Sequence, residues 1–171
     1  MNPMIQTERC ILREMQQSDI DDVACILQNP NVMYAYEHTF STQDVQEWLD
    51  RQRLRYQRDG FGLWAVILKS TGQMIGQAGL TYQHYQNKQI LEIGYLLKEA
   101  YWHQGYAREA AASCQHYAFN VLEQNVVHSI IKVDNAASIR VALSIGMVKE
   151  AEFYAEYYHG PMLHALYTLR K

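Results

Sequence analysis

The residues best placed to do chemistry surround one glycine. Trp102-His103-Gln104-Gly105-Tyr106-Ala107 follows a run of apolar and aromatic residues between Ile90 and Leu97. It precedes Ala107, Ala110, Ala111, Cys114, Ala118, Val121 and Leu122, which recur at steps of three, four and seven. The first pattern reads as a strand and the second as one face of a helix. Gly105 between them lets the backbone approach something bulky. The first helical turn leaves unpaired N–H groups aimed at the loop, and these, with the positive end of the helix dipole, favour a phosphate. Gly105-x-Ala107 is neither a P-loop nor the Gly-x-Gly-x-x-Gly dinucleotide fingerprint. The anion-binding reading therefore stands beside that of an ordinary tight strand-to-helix connection.

Other chemistry is poorly supported. Cys10, Cys25 and Cys114 are odd in number, widely spaced and form no C-x-x-C pair, so buried reduced thiols are expected. His159 and His164 are five apart with no cysteine pair, and no H-E-x-x-H occurs, so no metal is expected.

The elements that must hold the loop follow from patterning. Residues 8–14 read as a first strand. Ser18 is expected to cap a helix carrying Val23, Ile26 and Leu27, stopped by Asn29-Pro30. Residues 31–36 form a short helical turn. Ser41 caps a further helix, with Asp44 at the capping-box position and Asp59-Gly60 at the end. Residues 62–69 and 73–82 form a hairpin through Ser70-Thr71-Gly72-Gln73, with Gly76 and Gly79 marking a bulge or close backbone approach. Residues 83–88 read as a polar turn and 89–97 as the third antiparallel strand. After the helix come a strand over 126–133, a helix opened by Asp134-Asn135 and closed at Gly146, and strands over 147–158 and 163–169. The order β-α-α-βββ-α-β-α-ββ implies a mixed α/β sheet with helices on both faces.

Bulk properties agree. At 171 residues, 49% hydrophobic and 19% charged, the chain is expected to be one globular domain over residues 1–171. Net charge is −3. Arg51, Arg53, Arg55 and Arg58 share a helix with Trp48, Leu49 and Tyr56. They read as its solvated face rather than a nucleic-acid patch, a small basic rim beside an anionic ligand being the alternative. Without a signal-type apolar segment or a run of 18 apolar residues, a cytoplasmic protein with no membrane or nucleic-acid partner is expected.

With these residues placed, nearly the whole chain resembles the GNAT superfamily of N-acetyltransferases, and within it the branch that includes the ribosomal-protein alanine N-acetyltransferases. Thr7-Glu8-Arg9-Cys10-Ile11-Leu12-Arg13 looks like that branch's opening strand. Leu91-Glu92-Ile93-Gly94-Tyr95 followed by Tyr101-Trp102-His103-Gln104-Gly105-Tyr106-Ala107-Arg108-Glu109-Ala110 resembles its acetyl-CoA motif. Asn135-Ala136-Ala137-Ser138-Ile139-Arg140, closed by Gly146-Met147, resembles its second motif. His103 stands where glycine is frequent. Ala142 stands where many members carry a tyrosine thought to protonate the leaving thiolate.

The resemblance implies a GNAT-like fold, a mostly antiparallel sheet splayed at the coenzyme A site. It implies acetyl transfer from acetyl-CoA, as co-substrate and without a metal, to a small-molecule amine or a protein N-terminus. The pyrophosphate would meet Trp102, His103 and the amides of Gln104, Gly105, Tyr106, Ala107 and Arg108. The pantetheine arm would run along Tyr95, Leu96 and Leu97, with Asn135 opposite, or Asn135 is a plain helix cap. Glu92 would take the amine's proton, or it lies on a solvated strand face. Ser138 would touch the cofactor and protonate the thiolate, or it merely bonds the preceding turn. Tyr34, Tyr82 and Tyr154 lie in segments that line the acceptor side of similar proteins, as do Tyr36 and Tyr158. A homodimer would also fit the resemblance. The competing reading is a non-catalytic acyl-CoA sensor or assembly module on the same fold, to which Ala142 gives weight. A dinucleotide oxidoreductase lacks its further glycines.

Overall fold

The computed structural model describes residues 3–171. Two short strands come first, β1 (Ile5–Gln6) and β2 (Cys10–Arg13), then helices α1 (Ile20–Leu27) and α2 (Thr42–Asp59). Three strands follow, β3 (Leu63–Leu68), β4 (Met74–Tyr85) and β5 (Lys88–Leu97), then helix α3 (Tyr106–Asn120). Strand β6 (Val126–Lys132), helix α4 (Ala136–Ser144) and strands β7 (Val148–Tyr157) and β8 (Gly160–Arg170) complete the chain. The strands form one sheet in the order β1-β2-β3-β4-β5-β6-β8-β7. Every neighbouring pair is antiparallel except β5 and β6, which are parallel and joined through α3.

Strand alternation decides which helix meets which face. Trp64, Val66 and Leu68 of β3 and Leu91, Ile93 and Leu97 of β5 share a core with Ala110, Ala111, Cys114 and Ala118 of α3. The small side chains of α3 let that helix lie close to the sheet. On the other face, Leu63 and Ala65 pack with Val23, Ile26 and Leu27 of α1 and Val45, Trp48 and Leu49 of α2. Burying each such Leu, Ile or Val contributes about 1.5–3 kcal/mol before chain entropy is set against it.

Several local expectations hold for their stated reasons. Ser41 Oγ accepts from the Asp44 amide at 3.0 Å and Asp44 Oδ2 accepts from the Ser41 amide at 2.9 Å. Gly60 closes α2 at φ 82°. The pairing of β3 with β4 shifts register between Val66 and Ile67, beside Gly76. A side chain at Gly79 would overlap the Gly62 carbonyl.

Others are corrected. Ser18 does not cap α1: residues Gln17–Asp19 form a 3₁₀ turn and the helix begins at Ile20. Asp19 organises this entry instead, accepting from the Gln16 amide at 2.7 Å and from both Arg13 Nη groups at 2.8 and 2.9 Å. The expected polar turn over 83–88 shrinks to Gln86-Asn87, with φ of 47° and 63°. Two consecutive left-handed residues match the twist of a two-residue hairpin, so β4 and β5 run on into it. Cys10 and Cys114 are buried, but Cys25 is exposed, because Val23, Ile26 and Leu27 claim the inner stripe of α1. Strand β1 was too short to leave a periodic signal.

Candidate active site

The glycine loop has the conformation its residues allow. Gly105 precedes α3 at φ 81° and His103 stands at φ 61°. Both lie in the left-handed region, which explains why glycine suits the position of His103. No side chain caps α3. The amides of Gln104, Gly105, Tyr106, Ala107 and Arg108 have no acceptor among the described residues. Five successive free donors at a helix start make a fitting cradle for a pyrophosphate.

Arg9, read from sequence only as part of the opening strand, fixes this loop. Its Nη1 donates to the Gln104 carbonyl at 2.9 Å, its Nε donates to Glu109 Oε1 at 2.8 Å, and its guanidinium lies 4.1 Å from the Tyr106 ring centroid. A trans peptide points its C=O and N–H in opposite directions, so holding the Gln104 carbonyl turns the Gly105 amide away from Arg9. Glu109 also accepts from Thr7 Oγ1 at 2.6 Å and the Arg9 amide at 2.9 Å. Burial alone would raise its pKa, but these bonds outweigh it and the carboxylate sits below its ordinary value.

The sheet forks beside the loop. Strands β5 and β6 pair at a single register, Glu92 opposite His128. Beyond it, side chains replace the main-chain ladder. Glu92 Oε2 accepts from the Ile130 amide at 2.7 Å, and Ser129 Oγ donates to the Ile93 carbonyl at 2.8 Å. Glu92 thus sits at the crotch of the fork, deep in the protein but with part of its surface open to a cavity. Burial pushes its pKa up to about 7, against the opposing pull of the Ile130 amide and the positive charge of Arg55.

That cavity, of about 1030 Å³, reaches from the fork to the far side of the sheet. Glu92, Tyr95, Leu96, Asn135, Ser138 and Tyr154 line it. Tyr95 spans the fork, its hydroxyl donating to the Ser138 carbonyl at 2.6 Å. Asn135 Oδ1 accepts from the Ser138 amide at 3.3 Å as a helix cap and from the Tyr34 hydroxyl at 2.9 Å. Its Nδ2 has no partner among the described residues, so capping leaves a donor free. Ser138 Oγ likewise has no partner among them, and does not bond the preceding turn.

Of the other residues singled out from sequence, Tyr36 and Tyr158 also line the cavity, and the rest fall outside its wall or at its edge. Leu97 is buried and its carbonyl already accepts from Trp102 Nε1 at 3.1 Å. Tyr34 stands at the rim through its bond to Asn135, and Tyr154 is 72% exposed. Tyr82 turns to the opposite face of β4, where its ring lies 5.2 Å from Phe61, because Thr81, Gln83 and Tyr85 take the cavity side.

Sequence reasoning missed Tyr157, and it reached Arg55 only as one of four arginines in the alternative of a small basic rim. The Tyr157 ring packs 5.6 Å from Tyr36 and 4.7 Å from the buried His164. Phe153, Ala155 and Tyr157 alternate with exposed neighbours along β7, and that alternation was the available signal. Arg55 lies seven residues after Trp48 and so on its face of α2, a step hidden by reading the arginines as a solvated set. Among the described residues no group of three His, Cys, Asp or Glu is arranged to hold a metal, and no helix is long and apolar enough to cross a membrane.

The comparisons with known proteins agree with this geometry. The family model described as acetyltransferase (GNAT) domain matches residues 9–148. Uncharacterized protein YkkB of Bacillus subtilis (strain 168) is 36% identical over 142 residues, 82% of this chain and 83% of the relative. Uncharacterized N-acetyltransferase YoaA of the same organism is 27% identical over 152 residues, 88% of this chain and 85% of the relative. A GNAT-family acetyltransferase from Bacillus anthracis has the same fold, with a TM-score of 0.82 at 23% identity over 97% of both chains. By the family match and the identity to its relatives, this chain belongs to the GNAT acetyltransferase family and is an acetyl-CoA-dependent N-acetyltransferase.

Proposed function

We propose that the protein acetylates the primary amine of a small molecule or a peptide N-terminus, with Glu92 as general base and Ser138 as proton donor. The observation that carries this reading is the fork itself: a carboxylate with pKa near 7 stands where β5 and β6 part and lines an open cavity. Acetyl-CoA, when bound, supplies the thioester carbon that the amine attacks. The chain's own groups do the rest. Amides 104–108 anchor the diphosphate, and the open edge of β5 at Tyr95 and Leu96 aligns the arm, with Asn135 Nδ2 opposite. The amine nitrogen bonds to the acetyl carbon as the carbon–sulfur bond breaks. Glu92 takes the proton that the nitrogen sheds and returns it to solvent, while Ser138 Oγ passes its proton to the departing sulfur as it regains one from solvent water. A base of pKa near the working pH is well matched to this task.

The test is thiol release from acetyl-CoA across a panel of amines. Amine-dependent release above the hydrolysis background is expected. Tight acetyl-CoA binding with no release from any amine would instead favour the sensor reading. Ser138→Ala is expected to slow turnover by roughly threefold to tenfold, since a thiolate of pKa about 8.5 needs less help than an alkoxide. An unchanged kcat across the pH range would assign that proton to water.

A further inference from the structure

The acceptor side of the cavity holds an arginine that forms no ion pair among the described residues. Arg55 lines the cavity, as does Arg51 one turn before it on α2. Neither forms an ion pair among the described residues, whereas Arg58 pairs with Asp59, and Lys132 with Glu37 and Asp134. Arg55 is half-buried and deliberately held. Its Nη1 donates at 3.0 Å to Oε1 of Gln52, a glutamine only 1% exposed. That same oxygen accepts the Leu63 amide at 3.1 Å, fixing it to the start of β3. One of the five guanidinium N–H groups is spent this way, and the rest have no partner among the described residues. A guanidinium is always charged, and its planar fork matches a carboxylate through two parallel bonds. Glu92, close enough for Arg55 to affect its ionisation, is bonded to Ile130 at the fork.

We propose that the acceptor carries a carboxylate as well as its amine, and that Arg55, with Arg51 at the rim, recognises it while Glu92 faces the amine. This rests on the acyl-transfer reading above and narrows its substrate class. The carboxylate has two sources, the α-carboxylate of a free amino acid or an acidic side chain near a peptide N-terminus. A cationic polyamine would instead set its second charge against the two arginines.

The experiment uses thiol release at about pH 9, well above the pKa of Glu92, so that losing the charge of Arg55 does not act through that carboxylate. Acceptors come in matched pairs, an amino acid with its carboxamide, and a peptide with aspartate or asparagine as second residue, beside spermidine. The carboxylate member of one pair is expected to have kcat/KM ~10–100-fold above its neutral partner, and Arg55→Gln to remove most of that ratio through KM. Which pair responds identifies the source. Arg55→Lys, which keeps charge but not the fork, is expected to fall between, and serves if the glutamine variant does not fold. Equal rates within both pairs, a preference for spermidine, or equal slowing of charged and neutral acceptors overturns the proposal and leaves acyl transfer standing. Absence of release with every acceptor strikes the acyl-transfer reading instead. Calorimetric titration of the same amino acid and aspartyl peptide into wild type and variant then decides. Binding at least tenfold weaker to the variant supports carboxylate recognition, and equal or absent binding overturns it.

Discussion

Gly105→Val is expected to abolish coenzyme A binding, with affinity falling at least about 100-fold, the worth of one or two charge-assisted hydrogen bonds. Two causes combine. Gly105 stands at φ 81°, which a β-branched residue adopts only at a cost of about 1–2 kcal/mol or more. A Cβ there would also lie 3.3 Å from Nη2 of Arg9, the residue that orients the loop, so the side chain must push against it or lean over the free amides. Either response spoils the cradle. Titration calorimetry with coenzyme A measures the loss, and a melting temperature within a few degrees of wild type shows that the fold survives. Affinity within threefold of wild type would falsify the assignment of the diphosphate to amides 104–108.

Glu92→Gln is expected to lower kcat by about 100-fold or more at neutral pH, the usual range for a lost general base. The pH profile carries the sharper prediction. In wild type, activity should rise through about pH 7 as the carboxylate ionises, and the variant should lose that limb. The deficit should then shrink at alkaline pH, where the acceptor sheds its own proton. The groups facing Glu92 that shape this titration are Arg55 on α2, the Ile130 amide on β6, and the hydroxyls of Tyr36, Tyr95 and Tyr157, all of which burial keeps neutral well above pH 7.

Stability should move the other way. The carboxyl pKa is raised from 4.5 to about 7 in the folded protein. Below pH 4.5 both states hold the proton and nothing is lost. Between the two values the unfolded chain ionises first and stability falls, and above 7 the loss is complete. The uncharged variant escapes that loss, so it should be at least as stable as wild type at pH 8 in urea titrations. A less stable variant with an unaltered pH–rate profile would remove Glu92 from the chemistry and make it a structural residue.

The fold was legible wherever a residue's role is local. The capping pair Ser41 and Asp44, the closing Gly60, the hairpin at Ser70-Thr71-Gly72 and the apolar stripe of α3 act through near neighbours, and periodicity exposes such roles. The entry to α1 was misread because Asp19 answers to Arg13, a partner set by the folded turn rather than by helix propensity. The turn after β4 was read too long because polar residues such as Gln83 and His84 suit a strand that faces a cavity or solvent as well as a loop.

For the site, the amino-acid sequence alone determined the components: a glycine that permits a left-handed step, a helix start without a cap, and one carboxylate in an apolar strand. Only the tertiary structure decided their relations. That Glu92 meets Ile130, Arg9 grips the carbonyl of Gln104, Tyr82 faces away from the cavity and Arg55 turns inward on Gln52 are contacts between elements distant in the chain or choices of face. The physical reason is range. Backbone conformation and amphipathic pattern are written in steps of two to four residues, whereas burial, desolvation and charge pairing depend on which surfaces the packed sheet brings together.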